Sequence, residues 1–414
     1  QAEGGQRWIH LYPVDAVAAG GNGPVAHDDP VHWTGSFQNW NSRCAACHST
    51  GLEKNYSAAT DSYRTAWREI NVACEACHGP AGAHLDWATA STSAAAGGSG
   101  AQPSAGAGPH RGFAFSLADR GAFGPAGAAG ASTLQRLDGQ RPVTQLETCA
   151  ACHSRRSEMR PGVPGGRFDD HFQLALLEPA LYFADGQIRD EVYEYGSFLQ
   201  SKMRAAGVVC SNCHEPHSGK LLADDNRLCT QCHAEGVYDR PAHHRHAGGT
   251  PGAACVSCHM PIRTYMVVDG RRDHGFRVPE PRLTAELGIP NACNDCHGDR
   301  DPAWAQAALD SWGVSTDLRA THAPLLAAGW SGRPDAAPAL LGLAADPARP
   351  ALLRASAALA GGAFPAAETL QGLAPLLDSD DALVRAAAAR SLDWLPVEQR
   401  YALLKRLVGD PSRS

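Results

Sequence analysis

No run of about 18 apolar residues occurs in this 414-residue chain, which argues against a transmembrane helix. No basic stripe occurs either. With a formal charge of −7, a nucleic-acid role is disfavoured. The chain opens on Gln1 and shows no signal-peptide pattern. Beyond residue 300 there is no cysteine, and the one histidine is His322. Methionine is scarce, at four residues.

What is present is dominated by one five-residue phrase, Cys-x-x-Cys-His, which occurs seven times. The copies are Cys44-Cys47-His48, Cys74-Cys77-His78, Cys149-Cys152-His153, Cys210-Cys213-His214, Cys229-Cys232-His233, Cys255-Cys258-His259 and Cys293-Cys296-His297. Together they use all 14 cysteines. A zinc ribbon needs no histidine after every second cysteine. A disulfide framework does not repeat one spacing seven times, and a thioredoxin-like motif occurs once. The phrase is the attachment site of c-type haem. Both thiols bond to the porphyrin and the histidine becomes the proximal iron ligand. Seven covalently attached haem c groups are therefore expected.

Seven haems within 297 residues leave little chain for a conventional core. The porphyrins must supply much of the buried apolar surface. The expected fold is mainly α with much irregular loop, short helices at the attachment phrases and little strand. Gly 43 and Pro 28 agree with that. Haem attachment takes place outside the cytoplasm in bacteria. A periplasmic or extracellular protein whose leader has been removed is expected.

Residues 1–43 hold His10, His27 and His32 among the aromatics Trp8, Trp33, Phe37 and Trp40. Between the first two phrases, Trp67 and Ile70 suggest one face of a short helix. Residues 88–133 are rich in Ala, Gly and Ser and read as a flexible insertion, with Phe113 and Phe115 as an aromatic island. The haem-free interval 165–209 carries His171, an apolar run to Leu177, and a candidate helix at 197–206. Two domains are expected: 1–300 with the haems and 301–414 without. In the second, Asp346, Asp378 and Asp410 recur every 32 residues within Ala/Leu helical patterns. That predicts a short HEAT-like α-solenoid.

Twelve of the 19 histidines are not proximal, enough by count for a second histidine at every iron. His217 lies three residues after His214, on the same side of that haem's peptide, so it is expected to serve a neighbouring iron. The same holds more weakly for His84. The remaining distal candidates are His274, His171, His10, His32 and one of His243, His244 and His246, chiefly His243 or His246. Met159, Met203, Met260 and Met266 are expected to pack rather than ligate.

Several phrases resemble a bacterial family of multihaem cytochromes c with C-terminal TPR or HEAT repeats. They are Trp33-Thr-Gly-Ser-Phe-Gln-Asn-Trp-Asn41, Cys74–His84, Tyr195-Gly-Ser-Phe-Leu-Gln-Ser-Lys-Met203, Cys210–His217, and Cys255–Met260 with Asp273-His274-Gly-Phe276. Cys-His-Gly-Pro…His and Cys-His-Met-Pro are also similar to the wider hydroxylamine oxidoreductase and pentahaem nitrite reductase superfamily. That resemblance implies distal-ligand roles for His84 and His274. The family usually carries a further upstream haem phrase, and the 88–133 insertion departs from it.

Two functions compete. One is electron transfer along the haems, in a redox complex with partner proteins or in an extracellular filament of copies of this chain. The other is a multihaem oxidoreductase acting on a small nitrogen or sulfur compound at one five-coordinate haem. No phrase carries Lys in place of His, and the histidine surplus makes an open iron less necessary. The carrier is the stronger expectation.

Overall fold

A computed structural model of the chain describes residues 25–30, 32–95, 110–125, 132–266, 268–314 and 322–412. Its fold is mainly helical with little sheet. Strands are two to four residues long and occur only as antiparallel pairs among the described residues.

Each attachment phrase lies on a short helical turn or runs straight out of one. Examples are Ala45–His48, Cys74–His78, Cys210–Asn212, Cys255–His259 and Ala292–Cys296. The reason is spacing. Residues three and four apart share a helix face, so one turn presents both thiols and the histidine together. The amides of Cys47 and His48 both bond to the carbonyl of Cys44, at 3.1 Å each. The same pair of bonds recurs at Cys149 (3.1 and 2.9 Å) and at Cys229 (3.1 and 3.0 Å).

Three local expectations are corrected. Trp67 and Ile70 do not form a helix face. Ile70 pairs with Ser49 in a two-residue strand, and the Trp67 and Ile70 side chains are exposed. Residues 55–63 instead make a tight hairpin, Tyr56–Ser57 with Ser62–Tyr63, with Asn55 and Asp61 in the left-handed region that short polar residues tolerate. Within 88–133, residues 88–95 continue the helix Gly82–Ala95, as expected of the alanine propensity there. Residues 110–125 are described and end in the strand Phe123–Gly124, paired with Gln135–Arg136. Residues 96–109 and 126–131 lie outside the described residues. The candidate helix at 197–206 is two pieces, Tyr193–Phe198 and Lys202–Ala205, with Ser201 accepting from the amide of Arg204 as the cap of the second.

Among the described residues beyond 300, seven α-helices follow one another: Pro302–Ser311, Ala323–Trp330, Ala337–Ala345, Ala351–Gly362, Ala367–Leu373, Ala382–Arg390 and Val397–Leu404. The helix Ala351–Gly362 is central, packed against Ala337–Ala345 and Ala382–Arg390. Small residues permit this closeness. A Cβ on Gly362 would collide with the Ser391 side chain.

One buried cluster joins this helical layer to the haem-free interval. It runs from Phe168, Phe172, Leu176, Leu177, Tyr182 and Val192 to Leu326, Leu340, Leu352, Leu373 and Leu392. At the joint the buried amide of Leu177 donates to Ser356 Oγ at 2.9 Å. His322, at the start of Ala323–Trp330, meets the carbonyl of Asp185 at 3.3 Å through Nε2. Among the described residues no helix is long and apolar enough to cross a membrane.

Candidate functional site

No disulfide joins any of the fourteen cysteines. Thiols of different phrases touch. Cys47 Sγ lies 3.9 Å from the carbonyl of Cys152, and Cys149 neighbours Cys210 as Cys229 neighbours Cys255. Cys213 lies near Cys232, and Cys258 near Cys293 and Cys296. Cys77 also lies near Cys149 and Cys152, so the phrases form a contiguous series with the third against the first, the second and the fourth.

Four proximal histidines face a second histidine ring. His78 faces His217 at 6.1 Å between ring centres, with the planes 7° apart. His214 faces His274 at 6.2 Å and 28°. His259 faces His243 at 6.2 Å and 19°. His297 faces His246 at 6.2 Å and 31°. A metal about 2 Å from the Nε2 of each of two opposed imidazoles separates the ring centres by about 6 Å. The four spacings match one another and match that value.

The other ring nitrogen is engaged in each pair. His217 Nδ1 lies 3.0 Å from Glu215 Oε1. His274 Nδ1 donates to the carbonyl of Arg272 at 2.9 Å, His259 Nδ1 to that of Arg277 at 2.8 Å, and His246 Nδ1 to that of His244. A proton held on Nδ1 leaves Nε2 as the free lone pair, the arrangement a ligand needs. Among the described residues, no three or more His, Cys, Asp or Glu side chains converge as a metal cage. The residues therefore fit haem better than a zinc ribbon.

Residues 30–79 match the family described as cytochrome c554 and c-prime. Residues 203–237 match the family of doubled CXXCH motifs. Four of the seven phrases lie inside these two matches. The chain is a multihaem c-type cytochrome. No curated protein matches it. Among solved structures it is similar to the outer cell wall cytochrome OcwA, at 18% identity with a TM-score of 0.43, over 86% of this chain and 76% of that one. That likeness is too loose to carry an argument.

The cytochrome treats its remaining candidate histidines differently. His84 stacks between Phe113, at 4.3 Å, and Trp87, at 5.5 Å, while its Nδ1 meets the carbonyl of Arg111 at 2.8 Å. Gly112 allows that contact, since a Cβ there would strike the carbonyl of Ala83. His171 is buried beside Phe172, with Nδ1 on the carbonyl of Pro161 at 2.6 Å. Neither ring faces a proximal histidine. His32 is bonded to Thr34 Oγ1 at 2.8 Å beside Trp33. His10 lies outside the described residues. Two of the 243–246 trio face proximal rings rather than one, because His243 and His246 sit on opposite sides of the left-handed Arg245.

Among the described residues, His48, His153 and His233 have no opposed histidine ring. His153 Nδ1 lies 3.1 Å from Glu194 Oε2. That hydrogen bond holds the imidazole above its ordinary range. Burial opposes ionisation of Glu194, yet the bond from His153 keeps its carboxyl below the usual range. His233 Nδ1 meets Thr133 Oγ1 at 3.3 Å, and burial pushes this imidazole down. Glu194, Thr133 and the carbonyl partners carry no motif in the sequence. Each lies apart from the attachment phrase it supports, so only the fold assigns it.

Proposed function

We propose that the protein conducts electrons along a chain of seven covalently bound haem c groups. The observation that carries this reading is the set of four opposed histidine pairs at 6.1–6.2 Å. Bound haem supplies one-electron iron chemistry. The protein's residues do the rest. His78 with His217, His214 with His274, His259 with His243, and His297 with His246 would hold four of the irons. His217 then belongs to one attachment peptide and serves another, which ties neighbouring cofactors together. For the irons at His48, His153 and His233 the distal candidates are His84, His171, His32 and His10.

We read the helices beyond residue 300 as a HEAT-like solenoid and as a second domain. The 32-residue aspartate spacing supports it, as do two contacts between successive units. Asp410 accepts both ends of the Arg385 fork at 2.7 Å, and Asp378 lies 3.3 Å from Arg406. The location is periplasmic or extracellular. The partners are redox proteins or further copies of this chain, the latter in a filament. Light scattering across concentration tests the filament, since a constant monomer mass removes it.

The second reading is an oxidoreductase working at a five-coordinate iron. The unopposed rings of His48, His153 and His233 favour it. Intact-mass analysis and electron paramagnetic resonance separate the readings. The carrier predicts seven haem additions and low-spin ferric signals. A high-spin signal integrating to one haem per chain would favour catalysis instead.

A further inference from the structure

We propose that Glu194 is a positioning residue that lowers the reduction potential at the third attachment phrase through the imidazole of His153. The inference rests on the reading of His153 as an iron ligand.

The partner of Nδ1 differs among the histidines. His84, His171, His246, His259 and His274 meet neutral backbone carbonyls. His233 meets a neutral hydroxyl. Only His153 and His217, among the described residues, meet a carboxylate. At His217 the pair is open to water, with the imidazole 79% exposed and Glu215 34% exposed, so solvent screens it. At His153 the imidazole is 67% exposed and Glu194 28%, so exposure alone separates the two pairs little; what sets Glu194 apart is the clamp that holds its segment.

That clamp is main chain. The amide of Tyr195 donates to the carbonyl of His153 at 3.0 Å, and the amide of Arg155 donates to the carbonyl of Val192 at 3.0 Å. The two bonds bracket Glu194 and fix its segment against the attachment peptide. Tyr193 takes φ of 60°, unusual for a tyrosine. Such strain persists where the surroundings over-determine it. The Arg271 guanidinium lies 5.3 Å from the centre of the Tyr193 ring.

The physical consequence has a sign. A carboxylate accepting from Nδ1–H makes the imidazole a stronger donor through Nε2. Ferric iron carries one more positive charge than ferrous iron and gains more from that donation. The oxidised form is favoured and the potential falls. His233, with only Thr133 behind it, receives no such push. Glu194 also faces His274 and His214, so a weaker effect reaches the fourth phrase. Cys152 touches Cys47, and Cys149 touches Cys210. A low potential at this contact point places an uphill step between the first phrase and the rest of the series.

The test is a spectroelectrochemical titration of the haem-loaded full chain, wild type against Glu194→Gln and Glu194→Asp. Glu194→Gln keeps the hydrogen bond but loses the charge. It is expected to raise one midpoint by about 59 mV or more, a tenfold change in a one-electron equilibrium. Glu194→Asp retains the charge and is expected to shift the same midpoint less. Glu215→Gln is expected to give the smallest change. Unchanged midpoints in Glu194→Gln with the haem count intact would overturn the proposal, as would a larger shift from Glu215→Gln. If Glu194→Gln does not fold, Glu194→Ala decides, since it removes both the charge and the hydrogen bond, and unchanged midpoints there overturn the proposal. Failure of the parent reading shows separately. An unmodified peptide around Cys149 and Cys152 in a wild-type digest would remove both.

Discussion

The attachment region and the C-terminal helices solve the same burial problem with different materials. Around the phrases the chain's own core is small, as in the cluster Leu146, Phe198 and Val209. Trp33, Phe37, Trp67, Ile70 and Leu85 stand exposed there. Beyond residue 300, leucine and alanine fill the interior, and Leu326, Leu340, Leu352 and Leu392 are fully buried. One region reserves apolar surface for a cofactor. The other completes its packing without one. The haem-free interval bridges them, because Leu176, Leu177 and Tyr182 belong to the same cluster as the helices.

Removing attachment points breaks that contrast most severely. Replacing Cys149 and Cys152 with Ala is expected to abolish recovery of folded protein, since the third phrase contacts both the first and the fourth. The same change at Cys293 and Cys296 is expected to lower the haem count by one and leave the remainder folded. Intact mass and circular dichroism read both. Equal outcomes would mean that the series has no centre.

Leu352→Ala should cost about 2–5 kcal/mol of stability, because it leaves a cavity in a dry, well-packed site. Because the core is shared, we expect one cooperative denaturation transition, shifted as a whole. Two transitions, only one of them shifted, would show that the layers unfold separately. Ser356→Ala should cost about 1–3 kcal/mol by stranding the buried amide of Leu177. A loss confined to the helical layer would contradict the joint.

The smallest effect is on pH dependence. Burial pushes the His322 imidazole down to about 4. The unfolded chain takes up this proton near the ordinary value of about 6.5. Stability from this group is therefore full above about 6.5 and is lost as pH falls toward about 4. His322→Gln should flatten that limb of the stability–pH curve. An unchanged limb would take His322 out of the joint.

The sequence makes some of this legible. Cys-x-x-Cys-His defines its own helical turn, because the spacing and the hydrogen-bond pattern are both local. The apolar run to Leu177 is visible in the sequence, and the fold buries Leu174, Leu176 and Leu177. By contrast, Trp67 and Ile70 look helical by spacing, but Ile70 lies in a strand paired with Ser49 and Trp67 lies outside any strand. Which imidazole faces which depends on packing between segments far apart in the chain, as with His78 and His217. Glu194 is 41 residues from His153 and has no motif, so only tertiary structure pairs them.

Near-infrared magnetic circular dichroism of the oxidised, haem-loaded protein, with spin quantitation, tests the central claim most directly. The account predicts at least four low-spin ferric haems per chain with paired imidazole ligands. Fewer than four would contradict the reading of the opposed histidine rings as iron sites.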